Sequence, residues 1–208
     1  MDAAIENIDV GGPSLLRAAA KNFLHVLPVC DPLDYSSITS LLAVGQVSSS
    51  IRQQLASKAF YLLSKYDSKI ASYLSEKEAM PENMAISLKK INDLQYGENP
   101  DTKGGLYSFA SPGGISTATK LSGPAMSYNN FLDANAAWSC VSSFSETAVS
   151  IVKHTDPCGM ALHSNSLRAF LDALSGDPVS SFGGIVGINS HVSVSMAKEI
   201  VKHFFTVL

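Results

Sequence analysis

The stretch that most limits how this chain can fold is Ala148-Val149-Ser150-Ile151-Val152, an apolar run that stops at Lys153-His154 and then meets Thr155-Asp156-Pro157-Cys158-Gly159. β-Branched residues suit a pleated surface, and a short run of them bounded by Pro and Gly predicts a buried strand. In an open α/β sheet, chemistry sits where strands end. Lys153 and His154 stand at such an end. Successive side chains leave a strand on opposite faces, so the two meet at one site only if the strand breaks there. Thr155-Asp156-Pro157 is expected to supply the break, with Gly159 relieving the turn of Cβ clashes. A neighbouring ammonium disfavours imidazolium, which predicts a lowered pKa for His154 and the neutral ring that a general base needs. The same residues also fit a plain strand end, with a solvated lysine and a hydrogen-bonded core histidine.

A packed core is within reach: the chain has 208 residues, of which 46% are hydrophobic and 16% charged. A net charge of -3 gives no general attraction to nucleic acid or to an anionic membrane. No stretch is long and apolar enough to span a bilayer, and Met1-Asp2-Ala3-Ala4 has none of the features of a secretory signal. Cys30, Cys140 and Cys158 are odd in number and widely spaced, which implies a reducing compartment and no metal motif.

Along the chain, Gly11-Gly12-Pro13 predicts a tight turn into a helix through Asn22, whose start could hold an anion. His25–Cys30 is read as a short strand bent at Pro28, and Asp34 as the cap of a helix from Tyr35. Ser48–Ser75 has helical spacing, with Ile51, Leu55, Ala59, Leu62 and Leu63 on one face and Lys58, Lys65 and Lys69 on a solvated one. Ser75–Asn83 is the linker candidate, and Met84–Lys90 a short helix. Leu94–Pro100 is a loop, Gly104–Phe109 a strand, and Ser111–Thr119 an exposed Gly/Ser/Thr-rich segment. Further helices are expected over Phe131–Val141, with Trp138 in the core, over Asn165–Leu174, and over Met196–Phe205; Ile185–Ile188 is the last strand. The alternation of β and α predicts a layered α/β fold.

Three stretches carry a family resemblance: Glu6-Asn7-Ile8-Asp9-Val10-Gly11-Gly12, Tyr96-Gly97-Glu98-Asn99-Pro100, and Lys153-His154 with Pro157-Cys158-Gly159. Arg17–Asn22, Ser127-Tyr128-Asn129-Asn130 and Ser180-Ser181-Phe182-Gly183-Gly184 support them. In order and spacing they resemble the bifunctional purine-biosynthesis family that joins AICAR transformylase to IMP cyclohydrolase. The resemblance implies an internal fragment. Residues 1–86 would be the C-terminal part of an MGS-like cyclohydrolase domain. Residues 87–208 would be the first part of a cytidine-deaminase-like, layered α/β transformylase domain. The N-terminal half of the one and the C-terminal part of the other would be missing.

The resemblance further implies formyl transfer from the cosubstrate 10-formyltetrahydrofolate to AICAR, giving FAICAR, and closure of FAICAR to IMP. It implies no metal, a homodimer, small-molecule substrates, no nucleic-acid or membrane partner, and a cytosolic setting. His154 resembles the base that takes the proton of the AICAR amine, and Lys153 the cation beside it. Tyr96, Phe182 and Gly183 resemble nucleotide-site residues. Asp9 and Lys21 resemble catalytic residues of the cyclohydrolase, with Val10 and Gly11 lining that site. Without the resemblance, Asp9 reads as a turn cap and Lys21 as a cation at a helix C-terminus.

Two positions depart from the family pattern. Gln95 stands where Arg is usual and lacks the charged fork that grips a phosphate. Asp101-Thr102 stands where the bacterial-type pattern is His-Gln, and an acidic residue there opposes a phosphate. The rival readings are a non-catalytic truncated remnant, acting as a dimerisation or regulatory partner of the full-length enzyme, and an unrelated nucleotide-binding module using the Gly11-Gly12 helix start.

Overall fold

A computed structural model describes residues 2–75, 80–109 and 113–208, which fall into two units, Met1–Ser87 and Leu88–Leu208. Part of the linker candidate (76–79) and part of the Gly/Ser/Thr-rich segment (111–112) lie outside the described residues.

The regular elements of the first unit are all helices among its described residues. A short α1 (Asp2–Glu6) precedes α2 (Gly11–Lys21), then come α3 (Tyr35–Ala43) and the long α4 (Ser49–Leu74). Ser48 caps α4 by accepting from the Ile51 N–H, which satisfies one of the orphan donors of the first turn. Helices α2 and α4 meet through small side chains: Ala20, Ala56 and Ala59 are buried together, with Leu16, Phe23 and Cys30 packed against them.

Two expectations fail in this unit. Residues 25–30 form no strand; Pro28 removes a donor, and the unit has no described strand to pair with. Asp34 does not cap α3, because its carboxylate accepts from Lys58 Nζ at 2.7 Å; three residues earlier, Asp31 accepts from the Leu33 N–H. Lys58 stands on the exposed face expected of it and there bridges Asp31 and Asp34, each at 2.7 Å; this pair of carboxylates holds its ammonium well above the usual lysine pKa.

The second unit is mixed α/β. It opens with a two-stranded antiparallel ladder, β1 (Lys89–Asp93) and β2 (Gly105–Ser108), which replaces the helix expected over Met84–Lys90. Pairing with β2 overrides the local helix propensity. Then come α5 (Tyr128–Ser142), β3 (Ala148–Lys153), β4 (Asp156–Leu162), α6 (Ser166–Gly176), β5 (Ile185–Ile188) and α7 (Val194–Ile200). β3 is the central strand of the order β4-β3-β5 and is antiparallel to both neighbours.

Alternation along β3 builds two cores. Val149 and Ile151 point to one face, against Phe170 and Ala173 of α6 and Met196 of α7. Val152 points to the other, against Ala134 and Ala137 of α5, where the buried Ser150 hydroxyl donates to the Ala137 carbonyl at 2.9 Å. The sheet is thus covered on both sides, which explains a strand that reads as continuously apolar.

The expected helix over Met196–Phe205 stops at Ile200. Residues 204–207 instead run beside β5: Thr206 N–H donates to the Gly184 carbonyl, and Val186 N–H to the Val207 carbonyl. Trp138 is not a core residue but 40% exposed. The buried stripe of α5 is Ala134, Ala137 and Val141, spaced three and four apart, and Trp138 falls about 100° round the helix from Ala137.

Candidate functional site

In the second unit the site is built on the tip of the β3–β4 hairpin. Lys153 and Asp156 face each other across the ladder, leaving His154 and Thr155 as a two-residue turn. Both have positive φ, 55° and 65°, as a type I′ turn requires. The break is therefore at His154 itself, and Asp156-Pro157-Cys158-Gly159 is strand, not turn. Gly159 serves another purpose: a Cβ there would collide with the Ala173 carbonyl of α6. Between Ile151↔Gly159 and Val152↔Pro157 the register shifts, so Cys158 is the extra residue of a bulge.

Because the strand ends where His154 begins, Lys153 and His154 line one open cleft of about 430 Å³, together with Asp156, Pro157, Cys158, Asp177 and Ser180. His154 is exposed at its rim and Lys153 is half-buried. Lys153 Nζ donates to the carbonyl of Phe182 at 2.9 Å, tying the hairpin to the 177–184 turn. Asp177 organises that turn. Its carboxylate accepts from the N–H groups of Val179 and Ser180 and from the Ser180 hydroxyl. These bonds, the Ser180 hydroxyl foremost, hold the Asp177 pKa below the ordinary carboxylate value. Burial, and after it the nearby Asp177, push the Cys158 thiol up, so it is a poor nucleophile in this cleft.

Phe182 is exposed, its ring 5.3 Å from that of Phe204. Gly183 has φ +75°, a conformation that side chains other than glycine's strain to adopt. Its N–H donates to the Phe204 carbonyl at 2.8 Å, and its own carbonyl accepts from Thr206 Oγ1.

The Tyr96 loop belongs to the same unit. Gly97 N–H donates to the Thr102 carbonyl, and Leu94 N–H to the Gly104 carbonyl, closing the loop above the β1–β2 ladder. Tyr96 and Glu98 present carbonyls to the start of α5, accepting from Tyr128 N–H at 3.4 Å and from Asn129 Nδ2 at 3.2 Å. Gln95 and Asp101 are exposed. Asp133, on the next turn of α5, accepts from the backbone N–H groups of His154 and Thr155. Helix α5 therefore links the Tyr96 loop to the hairpin tip. Sequence reasoning passed over Asp133, although it is the only charge in the stretch 131–141.

In the first unit, Asp9 stands just before α2. Its Oδ1 accepts from the Gly12 N–H at 3.0 Å, and its own N–H donates to the Tyr66 hydroxyl at 2.8 Å. Val10 and Gly11 follow it and are exposed. Lys21 is the last residue of the 11-residue α2. At 1.5 Å per residue the helix separates Asp9 from Lys21 by roughly 16 Å along its axis. These two are not brought together, and among the described residues no hydrogen bond or ion pair joins them. No group of three or more His, Cys, Asp or Glu among the described residues has a geometry that could hold a metal ion, and no described helix is long and apolar enough to cross a membrane.

Comparison with known proteins gives one consistent result. Residues 19–208 match the family model described as AICARFT/IMPCHase bienzyme. The chain is 44% identical over 207 residues to the bifunctional purine biosynthesis protein PurH of Clostridium perfringens, covering 98% of this chain and 41% of that protein. It is 41% identical over 220 residues to PurH of Magnetococcus marinus, covering 100% and 41%. With PurH of Persephonella marina it shares 44% over 216 residues, covering 100% and 42%. The chain thus spans about two-fifths of the length of these relatives.

Proposed function

Because this chain belongs to the AICARFT/IMPCHase bienzyme family, we propose that it carries part of the machinery of de novo purine biosynthesis. Residues 87–208 are read as the first part of the AICAR transformylase domain and residues 1–86 as the C-terminal part of the IMP cyclohydrolase domain. The reaction is transfer of a formyl group from 10-formyltetrahydrofolate to the 5-amino group of AICAR, followed by closure of FAICAR to IMP with loss of water. The AICAR amine is a weak nucleophile, since its lone pair is delocalised into the ring. A base that takes its proton as the C–N bond forms lowers the barrier. His154 is that base. Lys153, whose ammonium already reaches one carbonyl oxygen, is placed to stabilise negative charge on another, the formyl oxygen.

The observation that carries this reading is the Lys153–Phe182 hydrogen bond. It joins two motifs 29 residues apart, Lys153-His154 and Phe182-Gly183, which the proposal assigns to catalysis and to holding the nucleotide. Tyr96 completes the nucleotide side, with Gln95 as a neutral contact in place of a charged one. On the cyclohydrolase side, Asp9 with Val10 and Gly11 forms a subsite at the start of α2. Lys21, a helix length away, is the second catalytic residue proposed for the closure of FAICAR, acting on the substrate and not through a bond to Asp9. A cytosolic homodimer is part of the same proposal.

Two positions favour a second reading: Gln95 lacks the charged fork of an arginine, and Asp101 places a carboxylate where it opposes a phosphate. On that reading it is a non-catalytic partner of a full-length family member. A single experiment separates the two. Supply AICAR and 10-formyltetrahydrofolate to the purified chain and follow tetrahydrofolate formation, with His154→Ala alongside. Turnover that falls about a hundredfold or more in the variant supports the first reading. Equal turnover in both removes His154 from the role of base. No turnover from folded chain, together with a stable complex on mixing with a full-length relative, selects the second.

A further inference from the structure

A type I′ turn needs positive φ at both central residues, and Asn-Gly meets that need at least cost. This hairpin fills the two places with His154 and Thr155. For a β-branched threonine the left-handed region is strained, and such a residue stays there only when its surroundings hold it. The turn has two such holds. Thr155 Oγ1 donates to the His154 carbonyl at 2.6 Å. The Asp133 carboxylate reaches across from α5, with Oδ1 accepting the Thr155 N–H at 2.7 Å and Oδ2 the His154 N–H at 3.4 Å. Neither N–H faces the opposite strand, so these two donors would otherwise be left to water.

We propose that Asp133 is the positioning residue of the candidate base: its carboxylate fixes the backbone of the His154–Thr155 turn and so sets where the imidazole stands at the cleft. The inference rests on the reading of His154 as the base. Asp133 touches only backbone, so it acts through His154 and not on a substrate. Its place on α5 gives it a second effect. Tyr128, which donates to the Tyr96 carbonyl, lies five residues earlier, or about 7.5 Å along the helix axis. One rigid helix therefore sets the distance between the Tyr96 loop and the His154 turn. Without Asp133 the turn loses that reference.

The test combines residue-resolved amide exchange with steady-state kinetics on the full 208-residue chain, as wild type, Asp133→Ala and Asp133→Glu. A charge-assisted hydrogen bond sets the scale of the effect. In Asp133→Ala the Thr155 amide should exchange about ten- to a hundredfold faster, while the amides of Ser150 and Ile151 keep their protection. In the same variant kcat for tetrahydrofolate formation should fall at least about tenfold, with KM for AICAR within about twofold, because the turn carries the base and not the nucleotide grip. Asp133→Glu should recover part of both.

Unchanged exchange at Thr155 overturns the proposal, whatever the activity. Faster exchange with unchanged kcat overturns it too, since the turn would then be held for fold alone. Wild-type chain without turnover defeats the enzymatic reading of this chain by itself; the clamp is then decided by the Thr155 amide alone. Where Asp133→Ala does not fold, Asp133→Asn serves, since it keeps the side-chain shape and loses the charge.

Discussion

The apolar residues of β3 and those of α4 meet different fates. In β3, Val149, Ile151 and Val152 are fully buried, because helices lie on both faces of the strand. In α4 the buried positions are Leu55, Ala56, Ala59 and Leu63, while Tyr61, midway between the last two, is 76% exposed and Phe60 and Leu62 are also open. A strand between two helical layers has no outward side chain. A helix with one apolar neighbour closes only the arc that touches it. The lesson concerns the candidate sites. The hairpin tip of the second unit stands on a closed core, whereas Asp9 of the first stands at an open helix start, held by one tyrosine hydroxyl and one capping bond.

The sharpest way to break this contrast is to empty each core in turn. Phe170→Ala removes the largest fully buried side chain and should cost about 3–5 kcal/mol. Denaturant unfolding followed by Trp138, which lies in the same unit, reads it. Leu63→Ala in α4 should cost only about 2 kcal/mol, near the lower end for such a change, because its loosely packed surroundings can collapse; helical circular dichroism reads that one. Equal losses would mean that the first unit is packed as tightly as the second.

A smaller effect is expected from Asn189→Ala. The Asn189 side chain accepts from the Ala148 N–H and donates to the carbonyls of Val141, Phe144 and Glu146, so it pins the α5–β3 connection to the end of β5. Its loss should cost about 1–2 kcal/mol. A loss well under about 1 kcal/mol would show that water replaces these bonds and that the connection is less closed than β3 itself.

The smallest effect is that of acid on the 177–184 turn. The Asp177 pKa is lowered in the folded chain by the Ser180 hydroxyl and the neighbouring N–H groups. The unfolded chain therefore takes up the proton first, and the contribution of Asp177 is present above the ordinary carboxylate pKa of about 3.9 and is lost as pH falls through the lower folded value. Asp177→Asn should flatten the acid limb of stability against pH by lowering stability slightly at neutral pH, while leaving it nearly unchanged below the folded Asp177 pKa. An acid limb identical to wild type would remove Asp177 from that role.

Much of the scaffold was legible in the sequence. The four apolar residues around Ser150 in β3 and the fourfold spacing of Leu55, Ala59 and Leu63 in α4 report directly on burial, because period and face are the same information; Leu62, read on the same α4 face, is open. Ser48 was readable as a helix start for the same local reason, whereas α5 begins three residues before the expected Phe131, at Tyr128. The hairpin turn was not. His-Thr is a poor type I′ pair by itself, and what permits it is a carboxylate 21 and 22 residues away. The ion pairs of Lys58 were hidden likewise: its partners Asp31 and Asp34 are remote in sequence, so α4 alone shows a lysine on a polar face and nothing of what it binds. Trp138 was misjudged because size suggested burial where helix phase decided it. The motif residues Lys153, His154 and Phe182 could be named from the sequence, but the bond that joins Lys153 to the Phe182 carbonyl could not, since any residue's backbone can accept it.

Two glycines carry a cost that belongs to heredity more than to mechanics. A methyl group at Gly159 would collide with the Ala173 carbonyl of α6, and one at Gly187 would stand 2.7 Å from the Ala137 carbonyl of α5. A glycine codon becomes an alanine codon by a single base change. At these two places that smallest of edits would wedge a helix away from each face of the sheet. A lineage can drift more readily at Gly113, where an added Cβ would meet nothing within 4 Å. It cannot drift at Gly159 or Gly187 without surrendering the layers on which everything else is mounted.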